Sequence, residues 1–226
     1  MSASLLKHAL QSHPANAAPP GLRGEVQRLA PDDPLRPLRL RFELHGDLAG
    51  VRLPAPLEPG APRRADGLWK HTCFEAFVAA PPAPGSPAQT AGAIEGSDSV
   101  AYVEFNLAPS GAWAIYRFDG YRAGMRAEPA GIEPRIVAVC HPGTLRVEVA
   151  LAWPAPLPAS AARPNAARDA ATVTAEAATP WRGRLGMSAV VEAADGSLSY
   201  WALHHPAARA DFHNDGGFIL GLEVPA

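Results

Sequence analysis

The sequence is poor in charge and in cysteine, and it has no long apolar run. Only 19% of its 226 residues are charged and the net charge is −2, so we expect no nucleic-acid partner and no membrane partner. Its two cysteines, Cys73 and Cys140, form no CxxC pair, which disfavours a structural zinc site and leaves one disulfide possible. No apolar run approaches the length of a membrane span, and the N-terminus lacks the apolar core of a secretory signal. We therefore expect a soluble, cytoplasmic protein.

Several short catalytic and nucleotide-binding motifs are also missing from the sequence. It contains no GxGxxG, P-loop, GxSxG or HExxH segment, which excludes the nucleotide, serine-hydrolase and zinc-protease sites that those motifs build. Proline and glycine are plentiful instead, with 25 and 20 residues. Because both residues interrupt helices and favour turns, they argue against a helical bundle.

Short alternating or apolar runs, separated by turn signals, fill most of the chain. The run at 38–44, LRLRFEL, alternates strictly between apolar and charged residues, as a half-buried strand does. Turn sequences at 108–111, 141–144 and 194–196 predict three hairpins. Further runs lie at 50–53, 68–79, 100–107, 112–118, 132–140, 144–152, 185–192, 197–203 and 218–224. About ten strands follow, which predicts an all-β fold, a β-sandwich or a barrel.

Two segments rich in Ala, Pro, Ser and Thr interrupt these runs, near 80–99 and 154–180. They carry too few large apolar residues to offset the entropy of ordering them. We read both as insertions in one β-sandwich domain over 23–226. Residues 1–22 are predicted to be a flexible N-terminal arm.

The segment LWKHTCFEAFV, residues 68–78, raises the question of function because it holds an indole, an imidazole, a thiol and a carboxylate. As a strand it would place Trp69, His71 and Glu75 on one face. The next predicted strand would add Glu104 and Asn106 to a similar polar face. Aromatic rings and directed polar groups together suit a sugar, but an ordinary solvated sheet face has the same composition.

The C-terminal region contains a second cluster, with three histidines and two aspartates within twelve residues. Its spacing, HHxxxxxDFHxD, matches no metal motif, so we predict no metal site. Glu75 and Glu104 could form the carboxylate pair of a glycosidase, but paired glutamates on neighbouring strands are common without catalysis.

The order of four segments resembles the DOMON-like domains, and more closely a bacterial group related to the family 9 carbohydrate-binding modules. The segments are LWKHTCFEAFV, YVEFNLAPSGAWAIYRFDGYR, LRVEVALAW and SYWALHHPAARADFHNDGGF. The resemblance implies a β-sandwich of jelly-roll type that binds a ligand without chemistry. Ligands across that wider family are sugars and haem, and haem takes a methionine and a histidine as axial ligands. Met125 or Met187 could supply the methionine here.

The sequence thus predicts a non-catalytic module for a saccharide or a saccharide-like small molecule. A haem-binding domain is the alternative, and a carboxylate-dependent glycan-active enzyme is less favoured. No cofactor is expected unless haem is bound. Trp69 and Trp201 are the predicted stacking platforms. The predicted hydrogen-bonding residues are His71, Glu75, Glu104, Asn106, Arg117 and His213.

Overall fold

The computed structural model of the chain describes residues 6–61, 63–79, 100–129, 131–152 and 181–224. Within them the secondary structure is strand, apart from three single-turn 3₁₀ helices at Leu48–Gly50, Leu68–Lys70 and Asp215–Gly217. The strands are β1 (Lys7–Ser12), β2 (Arg23–Leu29), β3 (Leu38–His45), β4 (Cys73–Ala79), β5 (Tyr102–Leu107), β6 (Trp113–Phe118), β7 (Arg126–Ala127), β8 (Arg135–His141), β9 (Thr144–Leu151), β10 (Trp181–Glu192), β11 (Leu198–Ala202) and β12 (Leu220–Val224). No helix in these ranges is long and apolar enough to cross a membrane.

The strands form two antiparallel sheets. Sheet A has the order β1-β2-β3-β9-β8, and sheet B has the order β7-β6-β5-β4-β10-β11-β1. Strand β12 pairs with the first half of β10. The fold is therefore the predicted all-β sandwich, with twelve strands in the described ranges where about ten were expected.

The core lies between the two sheets and is built from alternate residues of each strand. In sheet A the apolar residues of β3 face inward, and in sheet B the inward residues of β4 include Phe74 and Val78. Phe42 and Phe74 meet across the interface with ring centroids 5.1 Å apart. The period-2 pattern in the sequence therefore determines which face of each sheet is buried.

The N-terminal segment differs from the expected arm over 1–22, because β1 is a paired strand. Lys7 to Leu10 pair with β2, and Gln11 and Ser12 pair with β11. One strand thus belongs to both sheets and joins them along one side of the sandwich. The prediction failed because KHALQS is short and mostly polar, with one buried apolar residue, Leu10.

Charged side chains reinforce this join on the exposed face of sheet A. The Lys7 ammonium lies 2.7 Å from the buried Glu43 carboxylate and 3.1 Å from Glu25, and Arg146 lies 2.8 Å from Glu43. Burial opposes ionisation of Glu43, but the bonds from Lys7 and Arg146 outweigh it and lower its pKa to about 2. The network ties β1 to β2, β3 and β9.

The three predicted hairpins connect β5 to β6, β8 to β9 and β10 to β11, as expected. The run at 50–53 is not a strand but an isolated bridge at Val51. Both cysteines are free, Cys73 buried and Cys140 exposed. The two predicted insertions lie outside the described residues.

Candidate functional site

The outward face of sheet B carries a second apolar cluster, separate from the core between the sheets. It is aromatic-rich because the strands alternate, so that β4, β5 and β6 turn aromatic residues outward as well as apolar residues inward. Its members are Phe77, Ala79, Tyr102, Ala114, Tyr116, Phe118 and Phe218. An apolar face of this kind is unfavourable in contact with water. The 203–219 connection between β11 and β12 shields part of it, because Phe212 and Phe218 pack against the other members of the cluster.

A cavity of about 320 Å³ opens beside this cluster. Sheet B contributes its floor, and the 119–125 turn and the 203–219 connection contribute walls. The lining residues are Trp69, Glu75, Glu104, Phe118, Arg122, Met125, Val190, Tyr200, Ala210, Phe212 and His213. A volume of this size accommodates a small organic molecule.

Two carboxyl groups lie in the floor, on neighbouring strands. Glu75 is paired with Asn106 and Glu104 with Phe77, so the two glutamates are diagonal neighbours on one face. Both are buried. Burial, and then the charge of Glu104, raise the pKa of Glu75 well above its usual range. Burial raises the pKa of Glu104 to about 7, against smaller opposing effects of Asn106 and Arg122.

Asn106 holds one member of this pair, Glu104, in position. Its Nδ2 donates to Glu104 Oε1 at 2.8 Å, and its Oδ1 accepts from the buried Cys73 thiol at 3.9 Å. Burial, and then the charge of Glu75, raise the pKa of Cys73 well above its usual range, so this thiol stays neutral. The amide therefore orients Glu104, although Asn106 is not among the residues that line the cavity.

His213 and Arg122 form the polar wall. The Tyr102 hydroxyl accepts from the Arg122 backbone N–H at 3.3 Å and lies 2.7 Å from His213 Nδ1, placed to donate to it. Burial and then the charge of Arg122 lower the pKa of His213 to about 4, so its imidazole is neutral at pH 7. The Arg122 guanidinium donates to Asp211 at 2.8 Å.

Five of the eight predicted site residues come together here: Trp69, Glu75, Glu104 and His213 in the lining and Asn106 behind Glu104. The other three, Trp201, Arg117 and His71, lie elsewhere. Trp201 is buried in the core between the sheets, where its Nε1 donates to Ser199. It cannot act as a stacking platform.

The predictions for Arg117 and His71 fail for different reasons. Arg117 lies on the face opposite to Tyr116 and makes two hydrogen bonds to Glu128, at 2.7 and 2.9 Å. His71 follows the Leu68–Lys70 helix and precedes β4, so strand alternation does not apply to it. Its imidazole is largely exposed and contacts Glu192 at 2.8 Å.

Sequence reasoning missed several lining residues. Tyr200 lies in the cavity because it alternates with Trp201, and that signal was available once the inward residue of the pair was known. Arg122 and Phe212 come from connections between strands, where the sequence carries no period to indicate direction. Arg122 is also the non-glycine residue with positive φ, 50°, in the described ranges.

The two candidate haem methionines lie on opposite faces of sheet B. Met125 lines the cavity and is half exposed, whereas Met187 is buried in the core between the sheets. Met187 therefore cannot ligate a group in the cavity. The C-terminal histidines and aspartates are also dispersed: His205 contacts the Gln11 carbonyl oxygen, and Asp215 pairs with Arg184.

Comparisons with known proteins do not assign a family to the chain. No protein-family model matches the chain, and none of the curated proteins matches it. Among solved structures it is similar to a family 9 carbohydrate-binding module from Caldicellulosiruptor kristjanssonii in complex with cellotriose. The TM-score is 0.43 at 8% identity, and the match covers 90% of this chain and 74% of that one. A likeness at that level assigns neither a family nor a ligand to this chain.

Proposed function

We propose that the protein binds a saccharide or a saccharide-like small molecule in the cavity on sheet B, without chemical conversion. The observation that supports this is the combination of aromatic and polar groups around one small volume. Trp69, Phe118, Tyr200 and Phe212 offer apolar ring surfaces, which suit the apolar faces of a sugar ring. Glu75, Glu104 and His213 offer directed hydrogen bonds to hydroxyl groups.

The states of these polar groups suit hydroxyl recognition. A carboxyl group that keeps its proton near neutral pH can donate as well as accept, and the raised pKa of Glu75 provides for this. A neutral imidazole likewise has one donor and one acceptor nitrogen. Because each sugar hydroxyl both donates and accepts, such groups match it better than fixed charges do.

Hydrolysis is the second candidate, because two buried carboxyls with raised pKa values are what a glycosidase needs. Their arrangement argues for binding instead. Glycosidase carboxyls flank the bond to be cleaved, whereas Glu75 and Glu104 project from the same face of one sheet.

The test is a titration of the purified protein with mono- and oligosaccharides, followed by tryptophan fluorescence and by calorimetry. Trp69→Ala should weaken binding about tenfold, the loss of one stacking surface. Glu133→Gln, an exposed residue outside the cavity, should leave affinity unchanged. Failure of every saccharide to bind would contradict the proposal.

Two further readouts separate the alternatives. Release of new reducing ends from a bound oligosaccharide, lost in Glu75→Gln, would make the protein an enzyme. A Soret absorption band on adding haem, lost in Met125→Ala or His213→Ala, would favour the haem-binding DOMON-like interpretation. Saccharide binding without either of these signals would support the proposed function.

A further inference from the structure

We infer that the ligand carries a cationic amino group, which is seated on Glu75 and Glu104 in the floor of the cavity. This inference rests on the proposed function and specifies it, so that the ligand class becomes an amino saccharide. Its basis is the position of two buried carboxyls in the cavity floor, without a bonded cation among the described residues.

In the part of the chain that the structure describes, the two floor carboxyls have no ion-pair partner. No described Lys, Arg or His forms an ion pair with Glu75 or Glu104 within 4.0 Å. Glu43 offers the contrast within the same protein, because it is equally buried and has both Lys7 and Arg146 at contact distance. A buried carboxylate without a partner is unfavourable. A cation brought by the ligand would supply that partner.

The other charged groups near the cavity do not fill this role. Arg122 is the nearest described cation in the lining, and its guanidinium is bonded to Asp211. His213 is neutral at pH 7 because burial lowers its pKa to about 4. Three further titratable groups lie around the pair, Cys73, Tyr102 and Tyr116. Burial raises the pKa of each above its ordinary value, so all three are neutral near pH 7.

The ring surfaces above the floor favour a cation as well. Tyr200 and Phe212 pack edge to face with centroids 5.9 Å apart, and Trp69 and Phe118 line other parts of the cavity. An ammonium group within about 6 Å of aromatic faces gains from their electron density, more so when it is shielded from water. Carboxyls below and rings around thus select for positive charge and select against an anionic ligand.

Four probes test the inference: D-glucosamine against D-glucose, and cyclohexylamine against cyclohexanol, each titrated calorimetrically. We expect glucosamine to bind at least tenfold more tightly than glucose. Glu75→Gln and Glu104→Gln should each abolish that preference, because glucosamine should lose at least tenfold more affinity than glucose does. Glu133→Gln is the control and should keep the preference.

The pH dependence of cyclohexylamine binding gives an independent readout. This amine stays protonated across the range, as a lysine side chain does, whereas a carboxyl with a pKa of about 7 changes from mostly protonated at pH 6 to half ionised at pH 7. The affinity of the protein for cyclohexylamine should therefore rise about fivefold between pH 6 and pH 7. Cyclohexanol affinity should stay constant, and Glu104→Gln should remove the rise.

The outcomes are distinguishable. Equal binding of glucosamine and glucose would overturn the amine inference and leave the saccharide proposal intact. Binding of cyclohexylamine without binding of any saccharide would overturn the proposed function and support the ammonium site. Loss of glucose and glucosamine binding together in both glutamine variants would overturn the inference, because the carboxyls would then serve the hydroxyl groups alone.

Discussion

Replacing Glu104 by glutamine should change how the stability of the protein depends on pH. The pKa of Glu104 is about 7 in the fold against an ordinary 4.5. Between these values the folded protein keeps a proton that the unfolded chain has released, so stability falls as pH rises through this window. The difference corresponds to about 3 kcal/mol of unfolding free energy between pH 4.5 and pH 8. Glutamine keeps the shape and can still accept from Asn106, but it does not titrate.

His213 acts in the opposite direction and must be separated from this effect. Its pKa is lowered from 6.5 to about 4, so the unfolded chain takes up a proton that the folded protein refuses, and stability rises with pH across that window. The two contributions nearly cancel in the unaltered protein. The useful quantity is therefore the difference between Glu104→Gln and the parent, in which His213 drops out.

Urea unfolding followed by tryptophan fluorescence at pH 4.5, 6 and 8 measures this difference. The stability of Glu104→Gln relative to the parent should rise by about 3 kcal/mol from the lowest to the highest pH, and Glu133→Gln should show no such change. Parallel pH profiles for Glu104→Gln and the parent would refute the reasoning. They would mean that Glu104 ionises as readily in the fold as in the unfolded chain.

Further substitutions test the packing around the site. Gly186→Ala should cost about 1–3 kcal/mol in denaturant unfolding, because a Cβ there would lie 2.5 Å from Cδ1 of Phe218 and force that ring aside. Trp201→Ala should cost about 3–5 kcal/mol of unfolding free energy, because it empties part of the core. Trp69 is 36% exposed, so Trp69→Ala should cost far less in the same denaturant unfolding. Tyr102→Phe should lower the free energy of unfolding, measured with denaturant, by about 1–3 kcal/mol, since it leaves a ring nitrogen and a backbone N–H without their bonds.

The strands that could be predicted from sequence are those with a clear period. In β5, YVEFNL, the alternation correctly places Val103 and Phe105 in the core and Glu104 and Asn106 on the other face. The same holds for the inward residues of β4. Both carboxyls of the floor follow from this pattern alone.

The pattern failed where the backbone leaves the strand or where both faces are apolar. Gly67, with φ of 75°, starts the single 3₁₀ turn before β4 and so takes His71 out of the alternation. In β11 both Tyr200 and Trp201 are large and aromatic, so composition does not indicate which one faces the core. The walls of the cavity come from connections, whose direction depends on tertiary contacts that no local signal encodes.

Strand β1 has a consequence for the aggregation behaviour of the protein. Its first four residues pair with β2 and its last two pair with β11, so a single six-residue strand covers part of two sheet edges at once. Proteolytic trimming past Ser12 would uncover both edges together, and each is a template for pairing with another chain. We expect such a clipped form to self-associate through strand exchange long before its core, which contains only Leu10 from this strand, is lost.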